Sequence, residues 1–217
     1  MQDPQDPYKG QYDEEVILTV SDWYHSQTIE LIQNMEVASN TAQFLPPFPD
    51  GIIVNDGTGA QIPFVKGKTY RIRLISFAAF AAAMLHINSH TMQVIMNDGA
   101  YVSEAQAYQL RVAPAQRYDF LIQAIDRDNG NFPFLLSLDM NRDYTSDPSQ
   151  LVWPHNFTGY LVMDPSQPTT AIDEVDSWRP VDDSHFTALD GTCAYGPPTQ
   201  TIVLNFNFCV DPNGLPR

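Results

Sequence analysis

The hydrophobic pattern of this chain repeats every two residues, not every 3.6, and so predicts strands. Val16, Leu18 and Val20 alternate with Ile17, Thr19 and Ser21 in a strand that ends at Asp22-Trp23-Tyr24-His25. Tyr70, Ile72 and Leu74 face one way within Thr69–Phe77, with Arg71 and Arg73 opposite. Tyr118, Phe120 and Ile122 do the same within Tyr118–Ile125. Further strands are predicted at 52–55, 84–88, 92–96, 107–112, 132–139 and 157–163, with turns at Asn55–Gly59, Lys66–Lys68 and Asn97–Gly99. Helical spacing occurs once, at Ile29, Ile32 and Met35 within Thr28–Val37. Ala78–Ala83 reads as a turn or a short helical turn, and Asn141–His155 as a long polar loop of the kind that carries function.

Arg111–Ala124 organises the rest. Ala113-Pro114-Ala115 separates two strands, because proline fixes φ and offers no N–H to a ladder. A buried Tyr118 just after this crossover predicts a tyrosine corner, its ring in the core and its hydroxyl bonded to backbone of the connection. Arg117 and Asp119 fall on one strand face.

Composition narrows the class. The 17 prolines and 12% aromatic content, without helical heptads, favour an all-β protein with many turns. The 217 residues suffice for one good core and part of a second. A net charge of −15 makes nucleic acid and anionic membrane poor partners. The acidic surface suits cations or plain solubility, of which solubility is the simpler reading.

No apolar run approaches membrane-spanning length, and Met1-Gln-Asp-Pro is no signal peptide. The expectation is a cytosolic protein or a true N-terminus further upstream. The sequon Asn156-Phe157-Thr158 leans weakly towards secretion and glycosylation at Asn156. Cys193 and Cys209, if paired, close a loop of about 16 residues worth roughly 3 kcal/mol. In a reducing compartment they are two thiols, and they lack the nearby histidines of a zinc site.

Ala113-Pro-Ala-Gln-Arg-Tyr-Asp119 resembles the signature of the second cupredoxin domain of three-domain multicopper oxidases, the laccases and fungal ferroxidases. Leu18-Thr-Val-Ser-Asp-Trp-Tyr-His25, Ile53-Val-Asn55, Tyr70–Ile75 and His90-Thr-Met-Gln-Val-Ile95 with Asp98-Gly99 arrive in the family's order. The resemblance implies a cupredoxin-like Greek-key β-sandwich over 12–165. It also implies a linker at 1–11, an interdomain linker at 166–198, and at 199–217 the start of a third cupredoxin domain. The alternating Thr201–Phe208 would be that domain's first strand.

In that family a blue copper and a trinuclear cluster take ligands from His-x-His motifs in the first and third domains and from a Cys flanked by His. Thiolate and imidazole suit those sites. This chain has five histidines and no His-x-His, and neither cysteine adjoins a histidine. The resemblance therefore implies copper in the parent, none bound here, and an isolated chain without activity. The partners implied are the first and third domains and a substrate, Fe²⁺ or a phenol, at an extracellular or cell-surface location.

His86 and His90 stand four apart, but around a strand turn they need not converge; His90 reads as structural. Trp23, Tyr24 and His25 read as a packing and hydrogen-bonding motif, and His155 and His185 carry no signal alone. Asp22 and Asp139 are the candidate substrate acids. In ferroxidases of the family the position of Asp22 is a Glu that helps bind ferrous iron, and an acid near Asp139 contributes; in laccases it is an Asp that bonds the phenol. The simpler reading of Asp22 is an ordinary strand-end acid, and Asp143 and Asp147 read as solvated loop charges. Two rivals remain: a free-standing β-sandwich binding or adhesion module, and a copper-free homologue acting as a partner protein.

Overall fold

The structure is a computed structural model that describes residues 4–35, 47–57, 59–125, 130–139, 155–170, 175–192 and 196–205. Its strands are β1 (Glu14–Trp23), β2 (Gly51–Val54), β3 (Gln61–Pro63), β4 (Thr69–Ser76), β5 (Ala83–Ile87), β6 (Met92–Asn97), β7 (Ala100–Ala107), β8 (Gln109–Val112), β9 (Arg117–Gln123), β10 (Phe132–Leu138) and β11 (Asn156–Val162), with one helix, α1 (Thr28–Met35). They form two sheets, ordered β2-β1-β4-β9-β6-β7 and β3-β11-β10-β5-β8. Pairing is antiparallel except for β1 with β4 and β3 with β11.

The alternating residues meet between the sheets. Leu18, Val20, Tyr70, Ile72, Leu74, Tyr118 and Phe120 from one sheet pack on Leu85, Leu110, Phe134 and Leu136 from the other. The run predicted as a single strand over 107–112 is divided at Tyr108: Ala107 ends β7 in the first sheet and Gln109 opens β8 in the second. The strands β3 and β7 were not predicted. The former is three residues long, and the latter, Ala-Tyr-Val-Ser-Glu-Ala-Gln-Ala, is a half-exposed edge strand poor in large apolar residues.

In the β8–β9 connection Gln116 N–H donates to Ala113 O at 3.0 Å, and Ala115 adopts φ 65°. Proline at the second position and positive φ at the third is the type II pattern, normally completed by glycine. The Tyr118 ring is buried as expected, but the tyrosine corner is not formed as predicted. Gln116 Oε1 already takes the Ala113 N–H, at 3.0 Å, so the phenol turns outward to Asp183 Oδ2 at 2.6 Å and Gln116 Nε2 at 2.8 Å.

Asp183 belongs to a segment that sequence reading leaves irregular. Residues 175–192 run along the edges of both sheets. Val181 N–H donates to Gln109 O, Ser103 N–H to Thr187 O and Leu189 N–H to Tyr101 O, at 2.8–3.1 Å. Val181 and Phe186 pack on the core. The N-terminal segment, read as an extended linker, likewise folds into turns on the outer face of the first sheet. Tyr8 is buried against Ile95 and Leu121, and its hydroxyl donates to Val102 O at 2.7 Å.

Ile29 and Ile32 are exposed and α1 buries no residue. Over 201–205 no strand forms, and Ile202, Val203 and Leu204 are exposed. Cys193, Cys209, Asp143 and Asp147 lie outside the described residues.

Candidate functional site

Asp22 sits near the end of β1, paired with Ile52 of β2. Its carboxylate is buried and accepts three backbone N–H groups from the β4–β5 loop. Ala79 donates to Oδ1 at 2.9 Å, and Phe80 and Ala81 donate to Oδ2 at 2.8 and 3.0 Å. Consecutive N–H groups converging on one anion form a strong electrostatic anchor. The alanines of this loop bring no bulk to oppose that approach, and Phe77 N–H ties its start to Val20 O at 2.8 Å.

Asp139 reaches the same loop from β10. Its backbone N–H donates to Ala82 O at 2.8 Å. Its carboxylate, 5% exposed, accepts from Arg111 Nε at 2.6 Å across β5, which lies between β10 and β8. The arginine is the more solvated partner, its side chain 31% exposed. The two candidate acids thus flank one loop, and each is already engaged. Sequence reading overlooked Arg111 and the loop amides. Arg111 was visible at the head of the proline-containing motif, whereas the amides of small residues have no side-chain signature.

Trp23, Tyr24 and His25 lie beside this site. Tyr24 donates to Pro47 O at 3.2 Å, and burial, with Asp22 and Asp50 nearby, pushes its phenol up. His25 donates its N–H to Asp50 at 2.6 Å and sets Nδ1 3.1 Å from the same carboxylate. Trp23, His25, Asp50, Ile52, Asn156 and Phe157 border a groove of about 570 Å³. Asn156, the sequon residue, opens β11 opposite Ser137 and is half-buried.

The remaining motif residues form the frame. Asp119 is buried and accepts from Arg71 Nε at 2.9 Å and from Arg73 at 3.1 Å. Arg71 lies on the strand face opposite Tyr70, Ile72 and Leu74, as predicted, and is fully buried there because the N-terminal turns cover it. Asp6 Oδ2 lies 2.6 Å from its guanidinium, and the Tyr12 ring 5.5 Å. Burial opposes that charge, but Asp119 restores it and raises the Arg71 pKa. Tyr12, its hydroxyl between Asp6 and Glu15, is pushed up to about 12 by burial and by the Glu15 hydrogen bond. Arg117 pairs with Asp98 at the surface, at 3.1 Å. His90 donates its Nδ1–H to Asn88 O, 2.8 Å away, with its ring edge-on to Phe64 and Phe132. Burial lowers its pKa, so it is neutral at pH 7.

Copper needs several imidazole or thiolate donors in one place. His86 lies against Tyr108 O, and His25 and His185 each pair with an aspartate. Among the described residues no three His, Cys, Asp or Glu side chains are grouped to hold a metal ion, so these residues do not fit a copper site.

The sequence profile described as multicopper oxidase matches residues 14–156, from the start of β1 to the start of β11. The chain belongs to the multicopper oxidase family. It is 35% identical over 205 residues to the iron transport multicopper oxidase fetC of Epichloe festucae, covering 94% of this chain and 32% of that protein. It is 34% identical to the iron transport multicopper oxidase FET3 of Gibberella zeae, covering 92% and 31%. The crystal structure of Fet3p, a multicopper oxidase that functions in iron import, superposes with a TM-score of 0.88 at 25% identity, over 97% of this chain and 39% of that one. A laccase from Botrytis aclada shares the fold, with a TM-score of 0.61 at 23% identity, over 86% and 33%. This multicopper oxidase chain therefore spans about a third of the length of its curated relatives. Its two sheets are those of a cupredoxin-like sandwich, as predicted, and nothing in these matches supports the free-standing adhesion module.

Proposed function

We propose that this chain is the middle cupredoxin domain of an iron-oxidising multicopper oxidase, forming one wall of the substrate approach and leaving copper binding to other parts of the parent. The observation that carries the reading is the placement of Asp22 and Asp139 on the two sides of the Phe77–Ala82 loop, in a chain whose relatives are named for iron transport. Carboxylates are hard oxygen ligands that favour Fe³⁺ over Fe²⁺, so an acid here both attracts the substrate ion and assists its oxidation.

The acids divide the work. Asp22, with three amides on its carboxylate, shapes the loop and adds negative potential. Asp139 is the acid that contacts iron. The alternative substrate to iron is a phenol, favoured by the aspartate at position 22, where the resembling laccases also carry Asp. The first and third domains of the parent are the partners of this one, and residues 199–217 begin the third. The parent works outside the cell or at its surface; no helix of the described residues is long and apolar enough to cross a membrane.

Copper analysis tests the domain assignment. The purified chain, loaded with copper and dialysed against a chelator, should retain less than stoichiometric metal and show no blue absorbance. A retained blue chromophore would overturn the middle-domain reading.

A further inference from the structure

Asp139 is buried, and burying an anion without a counter-charge is costly. Arg111 supplies a counter-charge, reaching it from β8 with Nε at 2.6 Å. The register explains how. Arg111 lies opposite Met84 of β5, Leu138 opposite Ala83, and Asp139 bonds Ala82. The guanidinium crosses β5 near the start of that strand, on the face that carries Met84. Its position is asymmetric: the carboxylate is enclosed, whereas the arginine side chain remains about one-third exposed.

We infer that Arg111 is a built-in competitor for the cation site at Asp139, so that a divalent ion reaches this carboxylate only as the guanidinium swings out to solvent. The inference rests on the reading of Asp139 as an iron acid and adds the element that sets its affinity. With Arg111 in place Asp139 is neutralised, which disfavours capture of abundant weak cations. An ion that gains more from the carboxylate than the guanidinium does displaces it. Arg111 is then a specificity-determining residue for the substrate ion, while Asp22 holds the loop in position throughout.

The test uses Mn²⁺ as the probe, titrated into the chain at low ionic strength and followed by the signal of the free ion. Arg111→Gln should bind Mn²⁺ about fivefold more tightly than wild type, the effect of removing one partly solvated ion pair. Arg111→Lys, which keeps the charge, should stay close to wild type. The Arg111→Gln gain should vanish in the double variant with Asp139→Asn. Thermal melts establish that each variant is folded. If folded Arg111→Gln binds Mn²⁺ no more tightly, or the gain survives Asp139→Asn, the inference is overturned. In the copper-loaded parent, Arg111→Gln should lower the KM for Fe²⁺ without moving that for a phenol. A tighter Mn²⁺ site with an unchanged Fe²⁺ KM would uphold the Arg111–Asp139 lock and overturn the iron-site reading.

Discussion

The ring of Phe134 lies over Gly159 across the β10–β11 pair, where a Cβ on Gly159 would fall 2.1 Å from the ring Cζ. Real Cβ atoms do not approach so closely, and Phe134 is fully buried, so the ring has nowhere to retreat. Gly159→Ala should cost about 1–3 kcal/mol, as overpacking of a dense core does. Urea unfolding of the chain measures it, and adding Phe134→Leu should recover part of the loss.

Arg71 and Asp119 predict a larger effect. Arg71→Met leaves Asp6 enclosed without its cation and Asp119 with the more solvated Arg73 alone. Removing one partner of a buried pair costs about 3–5 kcal/mol. Asp6→Asn is milder, because Asp119 still faces the guanidinium, but it loosens the N-terminal turns. Hydrogen exchange should then rise at Tyr8 while β9 stays protected.

Stability should fall with acid in two stages. Burial holds the folded pKa of His90 below its ordinary 6.5, so the unfolded chain takes up that proton first. The His90 contribution is complete above about pH 6.5 and is lost as pH falls towards the folded value. Asp6 and Glu15 act lower down. Burial opposes their ionisation, but hydrogen bonds from Tyr8 and Tyr12 to Asp6, from Tyr12 to Glu15, and the arginines Arg71 and Arg73 outweigh it and hold both pKa values below the ordinary 3.8 and 4.5. Their contribution is present above those ordinary values and disappears as pH falls through the folded ones. Denaturation midpoints between pH 7.5 and 5 should drop for wild type and stay level for His90→Phe.

Tyr118→Phe tests the segment over 175–192. It removes a phenol donor held by Asp183, a charged acceptor worth about 1.5–3 kcal/mol. Proteolytic nicking within 175–192 should accelerate, with the sandwich left intact.

These residues also mark what the sequence could reveal. Leu18, Tyr70, Phe120 and Phe134 were legible because alternation is local and one face of each strand meets the core. Asp22 and Asp139 were singled out through resemblance alone. Their partners were not. Backbone amides at Ala79–Ala81 have no signature, and Arg111 meets Asp139 across an intervening strand. The burial of Arg71 was not legible either, because nothing within its strand announces that residues 4–13 cover it. Asp183 was overlooked for the same reason: what makes it matter is Tyr118, 65 residues earlier.

On the proposed function, the role of Asp139 is to supply an iron acid to a multicopper oxidase. Its most direct test is the pair of specificity constants, kcat/KM for Fe²⁺ and for a bulky phenol, in the copper-loaded parent carrying Asp139→Ala. The account predicts a fall of about tenfold or more for Fe²⁺, as loss of one charged ligand worth roughly 1.4 kcal/mol or more would give, with phenol turnover kept. Unchanged constants for both substrates, or equal losses for both, would contradict it.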